Sequence, residues 1–286
     1  MNIKIRLLIA VVLVSTLSYS CKKTASVIEE PLKSEEFLNV AYGDNAKQVL
    51  DIYLPEKRNE STKVVILIHG GFWTGGDKND LSIFVKFLQN NGFAVANINY
   101  RLINASENNI HPAQINDITK AVAFISSKAP SWHVSSNQMG IIGASAGAHL
   151  GLLYTYAYNT DGKIKTVISI AGPSNFTDLT AIGESQKLIL SNFLGKTKQQ
   201  DPALYISASP ITHVSATSKA TLIIHGKQDL VIPQQQALDL KAKLDTYKVP
   251  NELYLVENAG HEDAVGPVNS VEALSKVLTW LSTYIK

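Results

Sequence analysis

The sequence predicts an α/β fold, a mostly parallel, doubly wound sheet of eight strands with a small lid insertion. Apolar, β-branched runs alternate with helical patterns along most of the chain, as in parallel sheets whose strands are joined by crossover helices. The first two runs follow each other without a helix, which predicts an antiparallel start. With 286 residues, 45% of them hydrophobic, the chain is long enough for one large domain with a deep core.

The elements follow in a regular order. Strand-like runs lie at about 37–42, 47–54, 63–69, 93–99, 138–143, 164–171, 220–225 and 252–257. Helical patterns lie near 80–91, 113–128, 145–158, 233–248 and 267–285. Because ligands of such sheets bind at the carboxyl ends of the strands, we expect the functional residues on the loops that follow strands.

The segment before the first strand has the layout of a secretory signal at 1–20, with two basic residues and then an apolar run from Leu7 to Leu17. That run is too short to span a bilayer. The cysteine after the predicted cleavage site resembles a bacterial lipoprotein signal, in which lipidated Cys21 anchors an exported protein on a periplasmic or outer-membrane face. Leu17 lies one position further from the cysteine than is usual, so a secreted protein with a free thiol stays open. Residues 21–36 predict a flexible tether, and the domain is expected to span 37–286.

The strand at 63–69 ends in His69-Gly70-Gly71, a loop suited to binding an oxyanion. Glycines let backbone N–H groups turn towards a site, and preorganised donors of this kind stabilise a developing negative charge. We expect the oxyanion hole to consist of the N–H of Gly71 or Phe72 together with that of Ala146.

The strand at 138–143 runs into Gly-Ala-Ser-Ala-Gly, with Ser145 at its centre and a helical pattern directly after it. Gly143 and Gly147 leave space for a tight strand-to-helix turn that exposes the serine hydroxyl. A pentapeptide of this type is weak evidence alone, but its position between a strand and a helix predicts that Ser145 is a nucleophile. The alternative is a glycine-rich turn packed under a helix.

The stretch from Pro173 to about Val214 contains no strand pattern and interrupts the alternation. Long connections inside compact domains are usually functional. We therefore expect a small lid over the site, helical from Lys187 to Leu194.

The last two strands each end next to a residue that a serine nucleophile requires. The run at 220–225 closes with His225-Gly226 and is followed by Asp229, and the run at 252–257 is followed by His261. This is the order Ser, Asp, His expected after such a turn. We predict that His261 acts as the general base and that Asp229 orients its ring and stabilises the imidazolium.

Other residues could take these roles. Asp263 competes with Asp229 but lies too close to His261 in sequence to occupy a separate loop, and Asp178 lies in the irregular stretch. His225 is expected to anchor the loop of Asp229, and His149 to pack within its helix. His69 belongs to the oxyanion loop. His111, His133 and His213 lie in polar, loop-like stretches with no predicted strand before them.

Composition excludes several classes of protein. The formal charge is +2, and the excess of basic residues comes from the N-terminal segment. No basic run interleaves with aromatic residues, so nucleic-acid binding has no support. The chain has a single cysteine, so no Cys/His spacing indicates zinc, and we expect neither a metal nor a cofactor.

Together these motifs resemble the α/β-hydrolases of the esterase/lipase group, above all carboxylesterases with an H-G-G-x-W oxyanion loop, here His69 to Trp73. That group includes acetyl- and feruloyl-esterase-like enzymes and kynurenine formamidases. The resemblance covers about residues 37 to 286 and implies the fold and the reaction type. The loop has Phe72 in place of the third glycine of the hormone-sensitive-lipase branch, which argues against a lipase-like acyl specificity. The other matching segments are 48–55, 97–102, 112–117, 143–149, 209–211 and 225–229.

The leading hypothesis is a serine carboxylic-ester hydrolase that acts through an acyl-enzyme on a small-molecule or oligosaccharide ester. An arylformamidase fits the oxyanion loop but not an exported protein. A prolyl-oligopeptidase-type peptidase usually has an aromatic residue after the serine, where this chain has Ala146. A catalytically inactive hydrolase used as a binding module is disfavoured by the intact set of catalytic residues.

The substrate is suggested by aromatic residues on loops near the nucleophile. Trp73 and Tyr100 are expected to bind substrate, together with Phe72, by offering a face to a sugar ring or a phenol while leaving little room for a long acyl chain. We therefore predict short acyl groups on carbohydrate or aryl esters. The alternative is that these aromatics are core residues under the lid.

Overall fold

The computed structural model describes residues 30–265 and 271–286, and in these ranges eight strands form a single sheet. The strands are β1 (Glu35–Ala41), β2 (Val49–Leu54), β3 (Val64–Ile68), β4 (Ala94–Ile98), β5 (Met139–Ala144), β6 (Ile164–Ile170), β7 (Ala220–Gly226) and β8 (Asn251–Val256). Their order across the sheet is β1-β2-β4-β3-β5-β6-β7-β8. Pairs β1–β2 and β2–β4 are antiparallel and all other neighbours are parallel, which confirms the predicted sheet.

The central strands are apolar throughout because both faces of the sheet are covered. In β3, Val64, Ile66 and Ile68 pack into one hydrophobic core, while Val65 and Leu67 pack into the other. Alternate side chains of a strand point to opposite faces, so a strand between two helical layers reads as a continuous apolar run.

The first strand begins earlier than predicted. The expected tether at 21–36 overlaps β1, and residues just before β1 already contact the domain: the Lys57 N–H donates to Leu32 O at 2.8 Å. β1 is an edge strand whose side chains are almost all exposed, so it can begin with Glu35 and Glu36, which gave no apolar signal in the sequence. The predicted signal peptide at 1–20 and Cys21 lie outside the described residues.

The helices largely follow the predicted pattern. In the described ranges they are α1 (Ser82–Asn90), α2 (Ala113–Trp132), α3 (Ala146–Leu153), α4 (Glu184–Leu194), α5 (Pro202–Ser207), α6 (Gln235–Thr246), α7 (His261–Val265) and α8 (Val271–Tyr284). A π-helical turn, Tyr154–Tyr158, continues α3, and 3₁₀ turns lie at Lys78–Leu81, Ala105–Glu107 and Pro210–His213. Within the described ranges no helix combines the length and the apolar character needed to cross a membrane.

The insertion at 173–214 contains α4, α5 and a 3₁₀ turn, and no strand occurs in this part of the described chain. It is attached firmly to the domain. The Ser174 N–H donates to Gln236 Oε1 at 2.9 Å, and the Ser174 hydroxyl donates to Gln236 O at 2.8 Å. Phe193 of α4 is fully buried. The lid therefore forms part of the core on one face of the sheet.

Candidate active site

Ser145 lies in a strained turn between β5 and α3. Its backbone has φ 50° and ψ −116°, a conformation that non-glycine residues rarely adopt and that costs about 1–3 kcal/mol. Its N–H donates to Ile170 O at 2.8 Å. The turn requires two glycines, since a Cβ on Gly143 would lie 2.4 Å from Gly147 O and one on Gly147 would lie 2.1 Å from Ile68 O.

His261 joins Ser145 to Asp229. Its Nε2 lies 3.0 Å from Ser145 Oγ and its Nδ1 lies 2.7 Å from Asp229 Oδ2. A carboxylate only accepts hydrogen bonds, so Nδ1 carries the proton and Nε2 is left to accept from the serine hydroxyl. The other carboxylate oxygen, Oδ1, accepts from the N–H groups of Val231 at 2.9 Å and Ile232 at 2.8 Å. Both carboxylate oxygens of Asp229 are thus fixed by hydrogen bonds.

The environment keeps Asp229 ionised. Burial opposes the charge of the carboxylate, but the hydrogen bonds from His261 and the Ile232 N–H outweigh it, and the pKa of Asp229 is lowered from its ordinary value. His225 also lies against this carboxylate, with its Nε2 3.4 Å from Oδ2 and 2.8 Å from Ile232 O. Burial lowers the pKa of His225, so this second ring stays neutral beside the acid. As expected, His225 braces the loop that carries Asp229.

The competing acids have other roles. Asp263 Oδ2 accepts from the Gly260 N–H at 2.9 Å, which shapes the loop before His261, and Asp178 bonds Thr180 at the surface. In the part of the chain that the structure describes, no three His, Cys, Asp or Glu side chains are grouped so that they could hold a metal ion.

The loop after β3 turns backbone donors towards the serine. Gly71, Phe72 and Trp73 have consecutive positive φ angles of 103°, 54° and 59°. A Cβ on Gly71 would lie 2.3 Å from Gly75 O, so this turn also requires glycine. Within the described residues the N–H groups of Gly71, Phe72 and Ala146 donate to no protein acceptor, as an oxyanion hole requires.

Tyr100 supports this loop and does not face a substrate. Its ring is fully buried and stacks on His69 with the ring centroids 4.4 Å apart, and its hydroxyl donates to His69 O at 3.1 Å. The prediction that Tyr100 binds substrate is therefore wrong, because β4 places it behind the oxyanion loop. His69 in turn donates from Nδ1 to Gly70 O at 2.7 Å.

A narrow cavity opens beside the serine, and we call it the Ser145 pocket. Its cavity volume is about 30 Å³. It is lined by Phe72, Trp73, Ser145, Ala146, Pro173, Phe176, Ile182, Gln186, Ile189, Leu190, Val231 and Ile232. Wider depressions, lined mainly by residues of the lid, contain none of Ser145, Asp229 and His261. We assign the site to the smaller cavity because the serine lines it.

Trp73 reaches this pocket from a packed position. Its ring is only 5% exposed and stacks on Phe193 of α4 with the ring centroids 4.3 Å apart, while Phe176 lies edge-on to it. Trp73 is thus both a core residue under the lid and part of the pocket wall.

The lid residues of the pocket were not predicted. Gln186, Ile189 and Leu190 lie on one face of α4, at spacings of three and four that place side chains on the same side of a helix. That spacing was a usable signal in the sequence, whereas the contribution of Val231 and Ile232, two and three residues after the acid, had no signal.

Comparison with known proteins gives a family and a fold. The BD-FAE family model matches residues 50–244, a range that includes Ser145 and Asp229 but ends before His261. In solved structures, the chain is similar to a chain described as a truncated form of carbohydrate esterase from gut microbiota, with a TM-score of 0.78 and 23% identity, covering 87% of this chain and 96% of that one. At that identity the likeness shows the fold alone.

Curated relatives carry esterase names. Esterase LipC of Mycobacterium tuberculosis is 27% identical over 243 residues, covering 78% of this chain and 58% of the relative. The probable carboxylic ester hydrolase LipM of the same organism is 28% identical over 215 residues, covering 70% and 49%. The chain spans about half the length of the curated relatives it matches.

Proposed function

Because the chain belongs to the BD-FAE family, we propose that it is a carboxylic-ester hydrolase that uses Ser145 as its nucleophile and acts through an acyl-enzyme. One observation carries this proposal: a single imidazole, that of His261, lies 3.0 Å from Ser145 Oγ and 2.7 Å from Asp229 Oδ2. The esterase names of its relatives support the same reaction class.

The geometry supplies each step of acyl transfer. As Ser145 Oγ attacks the ester carbonyl carbon, its proton passes to His261 Nε2, and Asp229 stabilises the imidazolium. The oxyanion accepts hydrogen bonds from the free N–H groups of Phe72 and Ala146, each worth about 3 kcal/mol in the transition state. The imidazolium then protonates the leaving alcohol. Water activated by His261 releases the acid from the acyl-enzyme.

The Ser145 pocket fits the acyl side of the ester. The leaving oxygen must lie against His261 Nε2 to be protonated, yet among the described residues that line the pocket none comes from the loop of His261. Phe72 and Ala146, the carriers of the oxyanion donors, do line it. The acyl group therefore enters this pocket and the alcohol leaves past His261. So narrow a cavity favours acetyl and other short acyl groups, with little activity beyond about eight acyl carbons.

We propose that the alcohol is a sugar or a phenol. Leu230, which precedes Val231 of the pocket wall in the chain, is 90% exposed, and an exposed apolar side chain so near the acid in sequence could pack against such a ring. A fold neighbour described as a carbohydrate esterase is consistent with a carbohydrate ester. We further propose, from the N-terminal sequence, that the protein is exported and anchored through a lipid on Cys21.

Labelling and kinetics test the proposal together. A fluorophosphonate probe should label the wild type and Ser127→Ala, an exposed serine on α2 that serves as control, but not Ser145→Ala. In a chain-length series of p-nitrophenyl esters the rate should be highest for short acyl groups, and acetylated xylan should release acetate. Absence of labelling in the wild type would indicate a binding module. Faster turnover of N-formylkynurenine than of any ester would indicate a formamidase.

A further inference from the structure

Asn99, which directly follows β4, holds the far end of the loop that carries the proposed oxyanion donors. This loop follows β3 and runs from His69 to Asp77, the residue that caps the 3₁₀ turn after it. Asn99 is only 5% exposed. Its Oδ1 accepts from the Lys78 N–H at 2.6 Å, and its Nδ2 donates to Asp77 Oδ2 at 2.8 Å. Both polar atoms of the amide are therefore used at one point, the end of the loop.

The backbone around this amide is itself fixed to the sheet. The Asn99 N–H donates to Val49 O at 2.9 Å, and Asn99 O accepts from the Tyr42 hydroxyl at 2.5 Å. The next residue, Tyr100, holds the near end of the same loop through its hydrogen bond to His69 O. Two consecutive residues after β4 thus fix both ends of the loop.

The loop between these ends is compact, so a shift of one end is passed on to the donors. Gly76 lies against the start of the loop, since a Cβ on it would be 2.5 Å from Gly70 O. The Gly75 N–H donates to Gly71 O at 2.9 Å. Movement of the last residues therefore displaces Gly71 and, with it, the N–H of Phe72.

The loop is also under strain that these contacts must oppose. Phe72 and Trp73 both have positive φ angles, and non-glycine residues keep such angles only where their surroundings fix them. Trp73 is fixed separately, because its ring is packed under the lid and its O accepts from the Ile103 N–H at 2.8 Å. Release of the loop's far end would therefore act on Phe72 more than on the pocket wall.

We propose that Asn99 is a positioning residue for the oxyanion hole, because its amide fixes Asp77 and Lys78 and thereby directs the Phe72 N–H at the oxygen that becomes negative in the transition state. The inference rests on the proposed esterase function. Asn99 does not line the Ser145 pocket, so its loss should lower kcat and leave KM nearly unchanged. A residue that only stabilised the fold would lower the Tm without altering the selectivity of the hole.

Two esters that differ at one atom report on the hole itself. p-Nitrophenyl acetate has a carbonyl oxygen where O-p-nitrophenyl thionoacetate has sulfur. Sulfur is a weak hydrogen-bond acceptor, so well-placed N–H donors stabilise the transition state of the oxygen ester more. The ratio of the two kcat/KM values is measured for the wild type and each variant. Comparison of these ratios cancels the intrinsic reactivities of the esters and the amount of active enzyme.

In Asn99→Ala, kcat on p-nitrophenyl acetate should fall about 10-fold to 100-fold, and the ratio of oxygen to sulfur ester should fall about fivefold or more. The matched control is Asn159→Ala. The Asn159 amide also makes two hydrogen bonds, to Ile164 N and O at 3.0 and 2.8 Å, but it lies at the start of β6, on the edge of the sheet opposite the site. This control should lower the Tm and leave both kcat and the ratio unchanged.

Asp77→Ala tests the same contact from its half-exposed side, and it should lower the ratio in the same direction if Asn99→Ala does not fold. A ratio within about twofold of the wild type in the folded variant would overturn the positioning role, as would failure of both variants to fold. If the wild type hydrolyses neither ester, the esterase function is overturned, and this inference with it.

Discussion

Replacing Gly147 by alanine should pull apart the two halves of the proposed oxyanion hole. Gly147 lies in the first turn of α3, where the helix crosses the end of β3. An alanine Cβ would lie 2.1 Å from Ile68 O and 2.4 Å from His69 O, both backbone atoms that cannot rotate away. The helix and the strand must therefore separate by about 1 Å to restore contact distance.

That displacement acts directly on the site. The Ala146 N–H moves with α3, whereas the Phe72 N–H moves with the loop after β3, so the two donors no longer converge on one oxygen. A misplacement of about 1 Å typically costs on the order of 10²-fold in rate. We expect kcat to fall about 100-fold, equivalent to about 2.7 kcal/mol. KM should change less, because the lid supplies much of the pocket wall.

The measurement is kcat on p-nitrophenyl acetate per fluorophosphonate-titrated site, alongside Tm. Gly75→Ala is the matched control in the oxyanion loop, since a Cβ there has its nearest neighbour at 3.9 Å. It should keep nearly full activity. A Gly147→Ala enzyme with kcat within threefold of the wild type and an unchanged Tm would refute the reasoning that this contact sets the geometry of the hole.

Two further predictions follow from the same structure, and a third follows from the N-terminal sequence. Asp229→Asn should lower kcat about 10⁴-fold, because an amide facing His261 Nδ1 favours the wrong tautomer; unchanged activity would point to Asp263 instead. Burial lowers the pKa of His149 to about 3, so it is neutral when folded but binds a proton more readily when unfolded. The stability this confers is complete above the unfolded pKa of about 6.5 and is lost as the pH falls towards 3, by up to about 1.4 kcal/mol per pH unit. Thus Tm between pH 7 and 4 should fall less steeply in His149→Phe than in the wild type, and parallel curves would contradict this. Finally, Cys21→Ala should move the protein from the membrane fraction to the soluble fraction, whereas retention would argue for an uncleaved N-terminal segment as the anchor.

Much of the fold could be predicted because its signals are local. The buried strands are short apolar runs bounded by glycine or polar residues, and Gly143 and Gly147 mark the tight turn around Ser145. Asp229 and His261 could be proposed because each follows such a strand, and parallel strands end at the same edge of a sheet. None of these inferences requires knowledge of the contacts between secondary-structure elements.

Other features depended on contacts between distant parts of the chain. The apolar character of Tyr100 and Trp73 predicts burial or binding alike, and only the packing places the first behind the oxyanion loop and the second on the pocket wall. The start of β1 carries no apolar signal, and Glu35 and Glu36 join the strand only by pairing with β2. The placement of Gln186 requires α4 to lie over Ser145. The sequence by itself thus determined the strands, the turns and the candidate catalytic residues, since local periodicity and chain order encode them. Only the tertiary structure decided what surrounds the serine. The hydrophobic pattern of the sequence predicts that a side chain is buried, but it does not identify the residues that the side chain contacts.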